Sequence, residues 1–190
     1  MSDHKFKPEF LNKLNNPNRL KDLPPDVIFS KFKVEKPELI LDIGAGTGFF
    51  SIQLAQYYPS AKILACDISN EMLHWINENV LKDHNSISTH LMEENQIPFQ
   101  ENFADILIMV NLHHELDDPI LMLKECYRVL KPGGQIMIVD WKKEEMPMGP
   151  PLEIRCDPQE ISRQLTITEF TNVLVSMELQ YHFLILGQKL

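Results

Sequence analysis

A short apolar run, Glu38-Leu39-Ile40-Leu41-Asp42-Ile43, passes directly into the turn Gly44-Ala45-Gly46-Thr47-Gly48. A helix-like stretch from Phe49 to Tyr58 follows and is stopped by Pro59. An apolar run of this length bounded by glycines reads as a buried strand, and the segment after it as the helix that folds back over it. Glycine has no β-carbon and tolerates φ > 0, so this turn lets a ligand approach the backbone closely. Strand, glycine turn and helix in that order open a doubly wound sheet, where ligands bind at the carboxyl ends of the strands at the point of strand-order reversal.

The rest of the chain repeats the same grammar. Ala61 to Cys66 predicts a second strand, closed by Asp67, with Ser69 or Asn70 capping a helix that reaches about Lys82. Ile87 to Met92 and Phe103 to Val110 predict strands three and four. Pro119 to Leu130 predicts a helix ended by Lys131-Pro132-Gly133-Gly134, and Gln135 to Asp140 a fifth strand. Strands alternating with helices imply crossover units, and near-continuous apolar strands imply a parallel sheet covered on both faces. Ile167 to Met177 and Tyr181 to Leu186 lie too close together for a crossover helix, so they predict an antiparallel hairpin. The expected architecture is a three-layer α/β fold with a seven-stranded, mostly parallel sheet.

A length of 190 residues suits one domain. Residues 1–36 are expected as a helical cap, with Phe6, Phe10, Leu11 and Leu14 on one short amphipathic helix and Asp26 to Phe32 on another. Residues 37–140 are expected as the ligand-binding core, 141–165 as a loop or lid, and 166–190 as the closing hairpin.

Charge narrows the ligand. Asp42 ends strand one, Asp67 ends strand two, and Glu93 and Glu94 follow strand three. Phosphates would meet this carboxylate ring unfavourably, whereas an ammonium, a sulfonium and ribose hydroxyls would meet it well. The dinucleotide pattern G-x-G-x-x-G requires glycine where Phe49 stands, and no Gly-Lys-Ser/Thr follows as in a phosphate loop. With 18 Lys and Arg against 27 Asp and Glu, the net charge of −9 also disfavours a nucleic-acid backbone. Three widely spaced cysteines, Cys66, Cys126 and Cys156, offer no disulfide framework and fit a reducing compartment. No apolar run approaches the ~18 residues of a membrane span, and no apolar signal core follows Met1. The expected location is the cytoplasm.

Leu41-Asp42-Ile43-Gly44-Ala45-Gly46-Thr47-Gly48-Phe49-Phe50 resembles motif I of the class I S-adenosylmethionine-dependent methyltransferases. The likeness continues through Asp67-Ile68-Ser69-Asn70-Glu71-Met72-Leu73, Glu93 to Phe99, Phe103-Ala104-Asp105, His114 to Pro119 and Arg128 to Gly134. It covers residues 35–140 and is strongest to the small-molecule branch typified by the ubiquinone/menaquinone C-methyltransferases. The resemblance implies a Rossmann-like fold and S-adenosylmethionine as cofactor. It implies that Asp42 and the backbone of Gly44, Ala45 and Gly46 hold the methionine end, with Asn111 nearby. It further implies that Asp67 accepts from the ribose hydroxyls, that Ile68 and Met72 pack near the adenine, and that Glu93 accepts from the adenine amino group beside the Glu94 backbone. Relatives more often carry Asp-Ala where Glu93-Glu94 stands.

Other features keep two readings. His113 and His114 either hydrogen-bond the loop ahead of a helix capped at Asp117–Asp118, or sit near the transferred methyl as proton acceptor or substrate contact. Metal ligation is disfavoured, because adjacent residues seldom aim at one ion and no His or Cys cluster at ligand spacing exists elsewhere. Lys142, Lys143 and Arg155 flank a Pro-rich segment and offer an anionic subsite; Arg19 reaches the cofactor carboxylate if the N-terminal segment folds over the site. Asn111-Leu112-His113-His114 lacks the paired prolines of nucleobase amine methyltransferases. The expected acceptor is a small molecule, with a non-catalytic cofactor-binding subunit as the alternative.

Overall fold

The computed structural model describes residues 14–190. The amphipathic helix expected around Phe6, Phe10 and Leu11 lies outside the described residues. Two short helices open the described chain, α1 (Arg19–Asp22) and α2 (Pro25–Phe29). They are followed by β1 (Leu39–Ile43), α3 (Phe49–Tyr57), β2 (Lys62–Asp67), α4 (Asn70–Asn79), β3 (Ile87–Leu91) and β4 (Ala104–Val110). After a 3₁₀ turn at His113–Glu115 come α5 (Pro119–Val129), β5 (Leu130–Trp141), α6 (Pro158–Ile167), β6 (Thr171–Ser176) and β7 (His182–Gln188).

The seven strands form one sheet in the order β3-β2-β1-β4-β5-β7-β6. β1 to β5 run parallel, and β7 pairs antiparallel with both β5 and β6. Alternate strand residues feed two cores. Ile40, Ile63, Ile108 and Val139 pack beneath Phe29, Phe50, Leu54 and Ile76 of α2, α3 and α4. Leu41, Leu64, Leu107 and Ile138 pack beneath Leu123 and Cys126 of α5 and Ile161 and Leu165 of α6. Helices therefore cover both faces, which is why the strand sequences show little alternation.

Helix starts follow local chemistry. Ser69 Oγ accepts the Met72 N–H, Asp118 accepts the Leu121 N–H, and Asp157 accepts the Gln159 N–H. Pro119 and Pro158 occupy the first turns that follow the last two of these caps.

Two expectations change. The segment 141–165 is not loop throughout: α6 begins at Pro158 and runs through Ile167, which ends a helix and does not begin a strand. Burial of Ile161 and Leu165 four residues apart on the second core explains it. Lys131-Pro132-Gly133-Gly134 does more than stop α5, since β5 already begins at Leu130. A register shift between Ala104 and Ile106 accommodates the extra residues. A side chain at Gly134 would lie 2.8 Å from the Lys131 carbonyl, so only glycine allows the chain to re-enter the sheet here.

Candidate functional site

Strand order reverses between β1 and β4, so their carboxyl ends diverge into a crevice. The Gly44 and Ala45 N–H groups both donate to the Cys66 carbonyl, which draws the glycine turn towards β2. Gly44 and Gly46 adopt φ of 69° and 55°. A β-carbon on Gly44 would lie 2.8 Å from Leu112 Cδ1, so the loop after β4 rests directly on the turn.

Asp67, buried at the end of β2, bonds the glycine turn after the neighbouring β1. Its Oδ2 accepts the Gly46 N–H at 2.8 Å and its Oδ1 the Ser69 N–H at 2.9 Å. Burial holds its carboxyl above the ordinary range, against the pull of these donors. Asp42 is only 2% exposed and accepts from Ser51 Oγ at 2.6 Å. Burial pushes its pKa up to about 7, with Asp67 adding to the rise and Ser51 and Arg19 opposing it. Arg19 comes from α1 to this same edge. Its guanidinium lies 4.6 Å from the centroid of the Phe49 ring, donates to the Leu14 carbonyl, and has its pKa lowered to about 10 by burial.

The remaining expected contacts spread around the crevice. Ile68 is 42% exposed, while Met72 is buried beneath the start of α4. Glu93 is exposed and exchanges backbone hydrogen bonds with Gln96, and Glu94 is half-buried. Asn111 takes a left-handed conformation with φ of 56° at the end of β4, and its N–H donates to the Val139 carbonyl. A cavity of about 660 Å³ next to the Glu93-Glu94 segment is lined by Asn95, Phe99 and Arg128, among others.

Four polar atoms around these loops are buried without a hydrogen-bond partner: Thr47 Oγ1, Asn95 Oδ1, Asn111 Oδ1 and His113 Nδ1. They belong to the loops after β1, β3 and β4. An orphaned buried polar atom costs about 1–3 kcal/mol, so such atoms in ligand-facing loops suit a polar ligand. Thr47 and Asn95 were not among the expected contacts, because no sequence pattern tells a satisfied hydroxyl or amide from an orphaned one. His182 was missed for the same reason. Both its ring nitrogens are buried without partners against the Trp141 indole, and burial lowers its pKa to about 4.

The adjacent histidines separate. His113 is 1% exposed and its Nε2–H donates to Gln164 Oε1 at 2.9 Å, joining the loop after β4 to α6; burial lowers its pKa. His114 Nδ1–H donates to Asp140 Oδ1 at 2.8 Å, and its backbone N–H to Asp140 Oδ2 at 3.1 Å. The helix that follows is capped by Asp118 alone. The hydrogen bonds of the two rings thus run to α6 and β5.

Arg155 does not offer an anionic subsite. It is 5% exposed, and its guanidinium donates to the carbonyls of Pro150, Lys142, Glu144 and Met148. It is the clasp of the segment 142–155, whose Gly149 lies so close to Trp141 that a β-carbon would come within 2.8 Å of the indole. Lys142 Nζ donates to the Gln180 carbonyl. Cys156 is half-buried, and burial pushes its thiol up to about 11. Among the described residues no group of three or more His, Cys, Asp or Glu stands where it would hold a metal ion, and no helix is long and apolar enough to cross a membrane.

A seven-stranded mixed sheet with a glycine turn and an acidic partner at its switch point defines a class I, Rossmann-like methyltransferase fold. Residues 41–138 match the family model described as a methyltransferase domain, and the chain belongs to that family. A crystal structure of an S-adenosylmethionine-dependent methyltransferase from Aquifex aeolicus superposes with a TM-score of 0.91 at 32% identity, covering 98% of this chain and all of that one. A ubiquinone/menaquinone biosynthesis C-methyltransferase from Desulfotalea psychrophila is 31% identical over 101 residues, which is 53% of this chain and 40% of the relative. A tRNA N(3)-methylcytidine methyltransferase from Drosophila melanogaster is 27% identical over 121 residues, 60% of this chain and 37% of the relative. The matched region thus spans less than half the length of these two curated relatives. The cofactor of the family is S-adenosylmethionine, and the orphaned Thr47, Asn95 and Asn111 atoms, the positive-φ glycine turn and the acidic edge fit it.

Proposed function

We propose that this chain transfers the methyl group of S-adenosylmethionine to a small-molecule acceptor. That cofactor supplies an electrophilic methyl group on a sulfonium, which leaves the protein to bind, orient and exclude water. Holding the reacting groups in line is worth about 7–11 kcal/mol. The observation that carries the reading is the Asp67 carboxylate, set between the Gly46 and Ser69 amides at the end of β2, beside the glycine turn. In this reading Asp67 receives the ribose hydroxyls, with Ile68 and Met72 near the adenine. Glu93 receives the adenine amino group beside Glu94, and Asp42, Gly44, Ala45, Gly46 and Asn111 surround the methionyl end. Arg19, over the Phe49 ring beside Asp42, is the cation available to the cofactor carboxylate.

The tRNA-modifying relative makes RNA the competing acceptor. A net charge of −9 opposes a polyanion, and Arg155, the buried cation of the segment 142–155, is spent on carbonyls. A small acceptor is also supported by the quinone-biosynthesis relative. The three cysteines are unpaired, which accords with a reducing cytoplasm.

Isothermal titration with S-adenosylmethionine, S-adenosylhomocysteine and NAD tests the reading. Micromolar binding of both sulfur compounds and none of NAD is expected. Absence of binding by either sulfur compound overturns it. Binding without transfer to any acceptor favours a regulatory or partner subunit.

A further inference from the structure

The carboxyls that end β1 and β2 are buried without a counter-ion. Asp42 is 2% and Asp67 8% exposed, and the ion pairs among the described residues all lie elsewhere. Asp67 takes two backbone donors, the Gly46 and Ser69 N–H groups. Asp42 is served by Ser51 of α3 alone, whose Oγ–H donates to Oδ2 at 2.6 Å. One neutral residue is a poor partner for an ionised carboxyl that is buried beside a second one, so the neutral acid is favoured there.

The groups facing Asp42 come from every element packed around it. β2 contributes the Asp67 carboxyl and the Cys66 thiol, which burial keeps protonated. β4, paired with β1 on its other side, brings only Ile108 to the level of Asp42. α3 contributes Ser51, and α1 contributes Arg19. The Arg19 guanidinium donates to the Leu14 carbonyl and lies over the Phe49 and Phe50 rings, and it forms no ion pair with the acid. The pKa of about 7 that burial gives Asp42 agrees with this surrounding. Asp42 stands two residues before Gly44, and its neighbour Asp67 bonds the glycine turn directly. A positive charge brought to that turn therefore acts on Asp42 through a poorly screened interior.

We propose that Asp42 carries a proton in the free chain and releases it when a ligand with a sulfonium binds, so that the site favours the charged cofactor over its uncharged thioether product. The proposal rests on the methyltransferase reading and adds the residue by which the site tells these two ligands apart. On binding, the Asp42 O–H bond breaks, the proton passes to solvent, and the electron pair stays on the carboxylate. Ser51 Oγ–H and the positive ligand then stabilise that carboxylate. Loss of the methyl group removes the sulfonium charge, and Asp42 takes a proton back from solvent. The amino and carboxyl groups are the same in cofactor and product, so they do not discriminate. Asp42 does, because proton release and ligand charge are linked and each shifts the other by the same factor.

The test is calorimetric titration of the full chain at about pH 6 in MES and in Bis-Tris, two buffers of different ionisation enthalpy. The ligands are S-adenosylmethionine, sinefungin, which has an ammonium in place of the sulfonium, and S-adenosylhomocysteine. At that pH the amino groups of all three keep their protons, so a released proton comes from the protein. Wild type should release more than about half a proton with either charged ligand and less than about a quarter with S-adenosylhomocysteine. Its preference for S-adenosylmethionine over S-adenosylhomocysteine should rise about tenfold from pH 5.5 to pH 7. Asp42→Asn, shown to be folded by a melting temperature no lower than that of wild type, should bind without proton release and without this rise. Ser51→Ala removes the donor to the ionised form and should move the release to higher pH, a shift that a merely structural Asp42 would not cause. Equal release with charged and uncharged ligands overturns the proposal. Release that persists in Asp42→Asn and vanishes in Asp67→Asn assigns the proton to Asp67 and overturns it too. Failure of the wild type to bind either sulfur compound instead removes the methyltransferase reading beneath it.

Discussion

The Asp67 carboxylate and the Gly46 amide are joined by a 2.8 Å hydrogen bond that ties the end of β2 to the glycine turn after β1. With Ser69 N–H on its other oxygen, Asp67 is the staple of the turn and, in the proposed function, the acceptor for the ribose. Asp67→Ala therefore removes the proposed ribose acceptor and loosens the turn together. A loss of at least ~1.5–3 kcal/mol in S-adenosylhomocysteine affinity is expected, the scale of hydrogen bonds to a charged group. Calorimetric titration of the variant against wild type checks it, and Asp67→Asn should recover part of the loss.

Asp42 gives the fold an inverted pH dependence. Its carboxyl has a pKa of about 7 in the folded chain and about 3.9 when unfolded. The native state therefore holds the extra proton between these values, and stability falls as pH rises from about 4 to about 7. The full effect is at most ~4 kcal/mol. Asp42→Asn should abolish this slope and melt higher than wild type at pH 7.5, as read by thermal denaturation across the range.

Gly44 is held by two separate constraints. Its φ of 69° costs an alanine about 1–2 kcal/mol, and a β-carbon would also meet Leu112 Cδ1 at 2.8 Å. Gly44→Ala is expected to destabilise the fold and weaken cofactor binding at least tenfold. Leu112→Ala in the same chain should relieve only the steric part. Chemical denaturation of the four chains of this cycle separates the two contributions.

Arg155 gathers four carbonyls spread from Lys142 to Pro150. A lysine has no planar fork with which to reach them all. Arg155→Lys should leave 142–155 open to protease, with trypsin cutting at Lys142 or Lys143 at least tenfold faster than in wild type. Equal cleavage rates would show that the loop does not depend on the clasp.

His113 provides the contrast to its neighbour. Its bond to Gln164 Oε1 crosses to α6, so His113→Ala is expected to cost about 1–3 kcal/mol of stability. S-adenosylhomocysteine affinity should stay within threefold of wild type. Denaturant unfolding and calorimetric titration read the two separately.

Much of the fold was legible along the chain because the sheet is covered on both sides. Strands such as Leu39–Ile43 and Ala104–Val110 show as apolar runs whatever their partners. The start of α6 was equally legible and was overlooked: Asp157-Pro158 is a cap followed by a first-turn proline, and Ile161 and Leu165 follow at helical spacing. The early start of β5 was not legible. Lys131-Pro132-Gly133-Gly134 carries every sign of a turn, and it joins the sheet only because β4 offers a register shift and Lys189 supplies and receives backbone hydrogen bonds.

The sequence by itself determined the glycine turn, the acidic residues at the strand ends and the alternation of strand and helix, because these depend on local backbone freedom, charge and hydrophobic spacing. Only the tertiary structure decided which polar groups are spent and which remain available. Arg155 is consumed by carbonyls of its own loop, His113 Nε2 by Gln164 while its Nδ1 keeps no partner, and His114 is turned by Asp140, 26 residues further on. Thr47, Asn95 and Asn111 each keep an unpartnered oxygen. A hydrogen bond is a property of two groups at about 3 Å, and the chain order says nothing of that distance until the sheet has formed.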